Sequence, residues 1–175
     1  MLVLVGASAT GKTVIAKRLQ QKYNLEKYVT CTTRPKRVNE VDGIDYYFLS
    51  KDEFLDKISR EEFVEMAKYN NNYYGSLKSE CKPNKVVILE PNGVNSFYKT
   101  DLDFISILIT AKKETRLNRM INRLDNPNDI KLRIENDDKI FDISNFSHID
   151  YVIENDENNI EEIVDRIYKI YKQKY

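Results

Sequence analysis

Gly6-Ala7-Ser8-Ala9-Thr10-Gly11-Lys12-Thr13 follows directly on the apolar run Leu2-Val3-Leu4-Val5. It satisfies the P-loop pattern G-x4-G-K-[ST] at every position. Gly6 and Gly11 let the backbone wrap with its N–H groups toward a chain of phosphates, and a helix beginning near Lys12 adds its positive dipole end. Lys12 then places an ammonium against the β- and γ-phosphates, and the Thr13 hydroxyl is left to bind Mg²⁺. A Gly-rich turn that merely caps a helix is the bland alternative, but it requires neither the lysine nor a buried strand before it. The chemistry implied is the binding of a nucleoside triphosphate.

A second set of residues suits a second phosphate. Arg34 and Arg37, three apart beside the hydroxyl-rich stretch Thr30 to Thr33, can form a guanidinium clamp on a nucleoside monophosphate. Taken alone, such a pair equally describes a solvated surface. Glu65 lies in an apolar segment, where a carboxylate is costly unless its oxygens find donors; an exposed strand position or a pairing with Lys68 is the other reading.

These side chains need a frame. Short apolar, β-branched runs recur at Leu2 to Val5, Tyr28 to Cys31, Val86 to Leu89, Phe104 to Ile109 and Tyr151 to Ile153, with helix-period segments between most of them. That alternation predicts a parallel α/β sheet buried on both faces. The helix after the P-loop and the C-terminal one, with Ile160, Ile163, Val164, Ile167, Ile170 and Tyr171 at helical spacing, carry core-facing stripes. Two stretches interrupt the pattern. Residues 32 to 80 read as a small α+β insertion with strand-like Tyr46 to Leu49, a helix opened by the capping box Ser50-x-x-Glu53, and a strand around Phe63 to Ala67. Residues 117 to 137 read as a charged helical hairpin hinged at Asn126-Pro127-Asn128, with the character of a lid.

Length and composition narrow the class further. The 175 residues suffice for one domain with insertions into a single core. Charges balance at 28 against 28, which argues against a dedicated nucleic-acid or anionic-membrane binder. No run approaches membrane-span length, and the first apolar run ends in the P-loop, so a soluble cytoplasmic protein is expected. Cys31 and Cys81 lack metal-site or disulfide spacing and are expected as buried or partly buried free thiols; the single histidine, His148, is expected in a turn or packing role.

Residues 32 to 49, Thr-Thr-Arg-Pro-Lys-Arg-Val-Asn-Glu-Val-Asp-Gly-Ile-Asp-Tyr-Tyr-Phe-Leu, resemble the T-T-R-x-x-R-x-x-E-x-x-G-x-D-Y-x-F segment of the guanylate kinase family at every defined position. Phe63-Val64-Glu65-Met66-Ala67 and Asn72-Tyr73-Tyr74-Gly75-Ser76 resemble the same family's F-[IV]-E-x-A and N-x-Y-G-[ST] pair, and Val152-Ile153-Glu154-Asn155-Asp156 its late V-I-x-N-D turn. The resemblance covers essentially the whole chain. It implies a five-stranded parallel P-loop core (residues 1–31, 81–116 and 138–175), a monophosphate-binding insertion (32–80) and a lid (117–137). The reaction implied is ATP- and Mg²⁺-dependent in-line phosphorylation of GMP, and of dGMP, by a monomer or homodimer.

The resemblance also assigns roles. Thr30, Arg34, Arg37, Tyr46 and Tyr74 would hold the acceptor, and Glu65, with Ser76 as its companion, would read the adjacent N1–H and N2–H donors of guanine. Arg119, Arg123 and Arg133 resemble lid arginines that close on the transferring phosphoryl group; a solvated helical face is their other reading. Asn155 would lie near the adenine of the donor. The pattern departs at Leu89-Glu90-Pro91-Asn92, where the family shows L-[DE]-x-D. Glu90 keeps the carboxylate that acts near the metal, while Asn92 replaces the acid that helps recognise the guanine amino group. Two other readings of the chain are a kinase of this fold acting on another monophosphate or a ribose bisphosphate, and a non-catalytic guanylate-kinase-like binding module.

Overall fold

The computed structural model describes residues 1–69, 71–157 and 159–175. Five parallel strands form the central sheet: β1 (Leu2–Val5), β2 (Glu26–Lys27), β7 (Lys85–Leu89), β8 (Ile105–Thr110) and β9 (Tyr151–Glu154), in the spatial order β2-β7-β1-β8-β9. Strand side chains alternate between faces, and β1, buried throughout, shows what each face meets. Leu2 and Leu4 pack under α1 (Lys12–Tyr23) and α6 (Ile160–Lys174) with Ile15, Leu19, Ile163, Val164 and Ile167. Val3 and Val5 face the other way, toward Val94 and Phe97 of α3 (Pro91–Phe97) and toward Tyr28 and Phe104.

The insertion builds its own sheet, in the order β4-β3-β6-β5, from β3 (Cys31–Thr32), β4 (Tyr47–Phe48), β5 (Phe63–Tyr69) and β6 (Asn72–Leu77). Helix α2 (Lys51–Ser59) covers it, placing Phe54 against Cys31, Phe63, Tyr73 and Leu77. The capping box is formed: the Glu53 N–H donates to Ser50 Oγ at 3.1 Å, and the Ser50 N–H donates to Glu53 Oε2 at 2.7 Å. The predicted hairpin is α4 (Lys113–Asn122) and α5 (Pro127–Ile140). Proline opens α5 because its missing N–H would have had no intrahelical partner there.

One expectation is corrected. The run Tyr28 to Cys31 is not the second core strand: the strand in the core sheet is Glu26–Lys27, and Cys31–Thr32 belongs to the insertion sheet. Tyr28 still donates its N–H to the Val86 carbonyl, at 2.9 Å, before the chain leaves. The buried apolar residues of this run are thus divided between two cores, while the edge strand itself is charged and exposed, which hides it from an apolar pattern. Cys31 is a buried and Cys81 a half-buried free thiol. His148 lies in irregular backbone ahead of β9 and has a packing role, 3.3 Å from Asp150 Oδ1 and with its ring edge-on to Tyr98.

Candidate active site

The sheet order brings two clefts together. β1 pairs with both β7 and β8, so the chain reverses direction across the sheet at β1, and the crevice beyond the carboxyl ends of these strands is where such sheets bind ligands. Val5 and Leu89 are register partners, so Gly6 and Glu90 leave the sheet side by side.

On the β1 side the loop is held open by its own geometry and by donors from distant elements. Gly6 (φ 147°) has no room for a side chain, since a Cβ would lie 2.2 Å from the Ile109 carbonyl oxygen; at Gly11 (φ 99°) it would lie 2.4 Å from Asn155 Nδ2. Thr10 is buried and donates its hydroxyl to the Ala7 carbonyl at 3.0 Å. Asn155, also buried, donates Nδ2 to the Thr10 carbonyl at 2.8 Å. Arg119, from α4, donates to the Ala9 carbonyl at 3.1 Å and to the Asn155 carbonyl at 2.7 Å. Gly11, Lys12, Thr13, Arg119, Arg123 and Asn155 line one cleft, and Val14 and Ile160 give it an apolar wall.

Lys12 donates to the Ala7 carbonyl at 2.6 Å. Burial lowers its ammonium to about 8, against the opposing pull of Asp137, with Arg116 adding to the depression. Arg123 is paired with Asp125 Oδ2 at 2.6 Å, and Arg133 approaches the same oxygen at 3.7 Å while more than half exposed, outside the cleft lining. Of the three arginines expected to act from a lid, Arg119 and Arg123 line the P-loop cleft.

Thr30, Tyr46, Glu65, Tyr74, Glu90 and Asn92 line the second cleft. Glu65 and Ser76 are opposite each other in the β5–β6 ladder, and the buried Ser76 hydroxyl donates to Glu65 Oε1 at 2.5 Å. Burial pushes the Glu65 carboxyl up, with the Glu90 charge adding and the Ser76 donor opposing. Arg34 is tied to Glu40 Oε1 at 2.6 Å, and its guanidinium lies 5.7 Å from the centre of the Tyr46 ring. Arg37 donates its backbone N–H to Glu40 Oε2 at 2.8 Å and leaves its side chain in solvent. Arg34 is thus one aromatic ring from the cleft, and Arg37 is exposed beside it.

Two residues of the P-loop environment went unread in the sequence. Asp137 of α5 accepts the Ser8 N–H at 2.6 Å, and Arg116 of α4, 5% exposed, donates to Asp138 Oδ1 at 2.5 Å. Helical spacing offered only the pair Asp137-Asp138, and nothing in the pattern said which of the two would turn inward. For a metal, the exposed Thr13 hydroxyl at the head of α1 and the Glu90 carboxylate at the end of β7 are hard oxygen donors of the kind Mg²⁺ takes. Among the described residues no group of three or more His, Cys, Asp or Glu side chains could hold a metal ion. So sparse a donor set fits a cation that is bound mainly through substrate phosphates.

A P-loop at the reversal point of a five-stranded parallel sheet, facing a carboxylate-bearing cleft on an inserted subdomain, defines a nucleotide kinase of the P-loop class. The family model described as guanylate kinase matches residues 1–174. The guanylate kinase of Rickettsia prowazekii (strain Madrid E) is 36% identical over 166 residues, covering 90% of this chain and 83% of the relative. That of Thermotoga maritima is 31% identical over 179 residues, covering 97% and 84%. Among solved structures, the crystal structure of guanylate kinase from Anaplasma phagocytophilum superposes with a TM-score of 0.70 at 28% identity, covering 99% of this chain and 84% of that one. The chain belongs to the guanylate kinase family, the nucleoside monophosphate kinases that phosphorylate GMP.

Proposed function

We propose that this enzyme transfers the γ-phosphoryl group of ATP in line to GMP, and to dGMP, with residues 32–80 binding the acceptor, residues 117–137 acting as lid and the remainder as core. The observation that carries the reading is the pairing of Glu65 with Ser76 in the cleft beside Glu90. A carboxylate there accepts both donors of a guanine edge, Thr30, Tyr46 and Tyr74 line the same cleft, and Arg34 and Arg37 beside it would turn onto the phosphate. Asn92 completes the base pocket.

On the donor side, backbone N–H groups of residues 6 to 13 and the Lys12 ammonium hold the triphosphate. Val14 and Ile160, beside Asn155, offer the adenine an apolar wall. Arg119, Arg123 and Arg133 neutralise charge on the group in flight. Thr13 and Glu90 would hold Mg²⁺, which supplies charge neutralisation across the phosphates when bound. The enzyme works in the cytoplasm on small nucleotides, as a monomer or homodimer, without a nucleic-acid or membrane partner.

A coupled assay across a panel of monophosphates and ribose bisphosphates tests this. GMP and dGMP should be turned over and AMP refused, because adenine offers Glu65 a lone-pair N1 and no 2-amino group. Faster turnover of another acceptor would identify a different substrate, and ATP binding without turnover of any acceptor would mark a binding module.

A further inference from the structure

The phosphate cradle is already occupied by the protein's own groups. The Ser8 N–H, one of the donors that a P-loop turns toward phosphate, is taken by Asp137 Oδ2 at 2.6 Å, and Lys12 Nζ is turned back onto the Ala7 carbonyl at 2.6 Å. Asp137 is 9% exposed and comes from α5, the second helix of the hairpin. The next residue, Asp138, is bound to Arg116, and the apolar contact of Met120, Ile130 and Ile134 rests on Ala9 of the P-loop. The hairpin is therefore fastened to the loop by packing and by a charge-assisted hydrogen bond at the point where the donor's negative charge must go.

We propose that Asp137 is a tethered anion that latches the P-loop, so that ATP binds by displacing its carboxylate from Ser8 and thereby releases α5 to rearrange. This rests on reading the P-loop as the ATP site. Two anions cannot share one N–H donor at bonding distance, so the latched and ATP-bound states exclude each other. A latch populated nine-tenths of the time would depress apparent ATP affinity about tenfold. Asp137 is in this sense a positioning residue that sets donor affinity without contacting substrate.

Titration calorimetry with ATP on wild type, Asp137→Asn and Asp137→Ala reads the effect without phosphoryl transfer. Both variants should bind ATP about tenfold more tightly, with GMP affinity unchanged. Unchanged or weaker ATP binding in variants that melt cooperatively would overturn the latch. Should either variant fold poorly, the unmodified enzyme still decides: scalar coupling across the hydrogen bond from the Ser8 amide to the Asp137 carboxyl carbon should be present without nucleotide and lost with ATP. Its absence without nucleotide, or its persistence with ATP, would overturn the proposal. A wild type that binds no ATP would overturn the donor-site reading itself.

Discussion

Lys12 makes two demands that conflict at the level of one side chain. It must be close enough to the loop to meet phosphate, and the burial that follows lowers its ammonium to about 8 from an ordinary 10.5. The sign is that of a depressed cation: below about 8 the folded protein carries the full cost of a buried ammonium, and that cost is relieved as the pH rises from about 8 toward 10.5. Donor binding needs the charged form. We therefore expect kcat/KM for ATP to fall as the pH rises through about 8, because that ratio reports the free enzyme. Lys12→Ala should cost several orders of magnitude in kcat and remove this limb of the profile while leaving thermal unfolding cooperative. At the acceptor end, Asn92 presents one carbonyl oxygen and an amide that needs its own partner, where an aspartate would present only acceptors to the guanine 2-amino group. Asn92→Asp should raise the ratio of kcat/KM for GMP over IMP by about 5- to 30-fold, the equivalent of about 1 to 2 kcal/mol. A ratio that stays put would remove Asn92 from base recognition.

Elements were legible where their signals are local. The Ser50–Glu53 box is a four-residue feature and is formed at the head of α2. Ser50→Ala should lower the stability of the insertion by about 1 kcal/mol, measurable as a shifted denaturant midpoint at unchanged slope. The C-terminal stripe is likewise periodic, and Ile167, fully buried between α1 and the sheet, should cost about 2 to 5 kcal/mol when cut to alanine. The edge strand Glu26–Lys27 was illegible because it has two residues and no apolar one; its place is set by the ladder to Lys85 and Val86.

At the scale of the molecule, catalysis requires two clefts to act as one. The register of Val5 with Leu89 puts their roots side by side, but Arg34 is bound to Glu40, and Arg123 and Arg133 to Asp125, rather than converging on a common point. Nucleotides offer these cations stronger anionic partners. ATP and GMP together, or a bisubstrate analogue, should draw the hairpin and the insertion inward and reduce the radius of gyration in small-angle scattering. An unchanged scattering curve would mean that the arginines reach the phosphates by side-chain motion alone.

The sequence by itself determined the phosphate chemistry and the parallel core, because a P-loop, a capping box and a buried apolar run are encoded by neighbours within a few positions. Only the tertiary structure decided that the run from Tyr28 serves two sheets and that Asp137 rather than Asp138 reaches Ser8. Each of these depends on how separate elements are set against one another, through chain crossing and helix rotation. Those are fixed by long-range packing and leave no mark on local spacing.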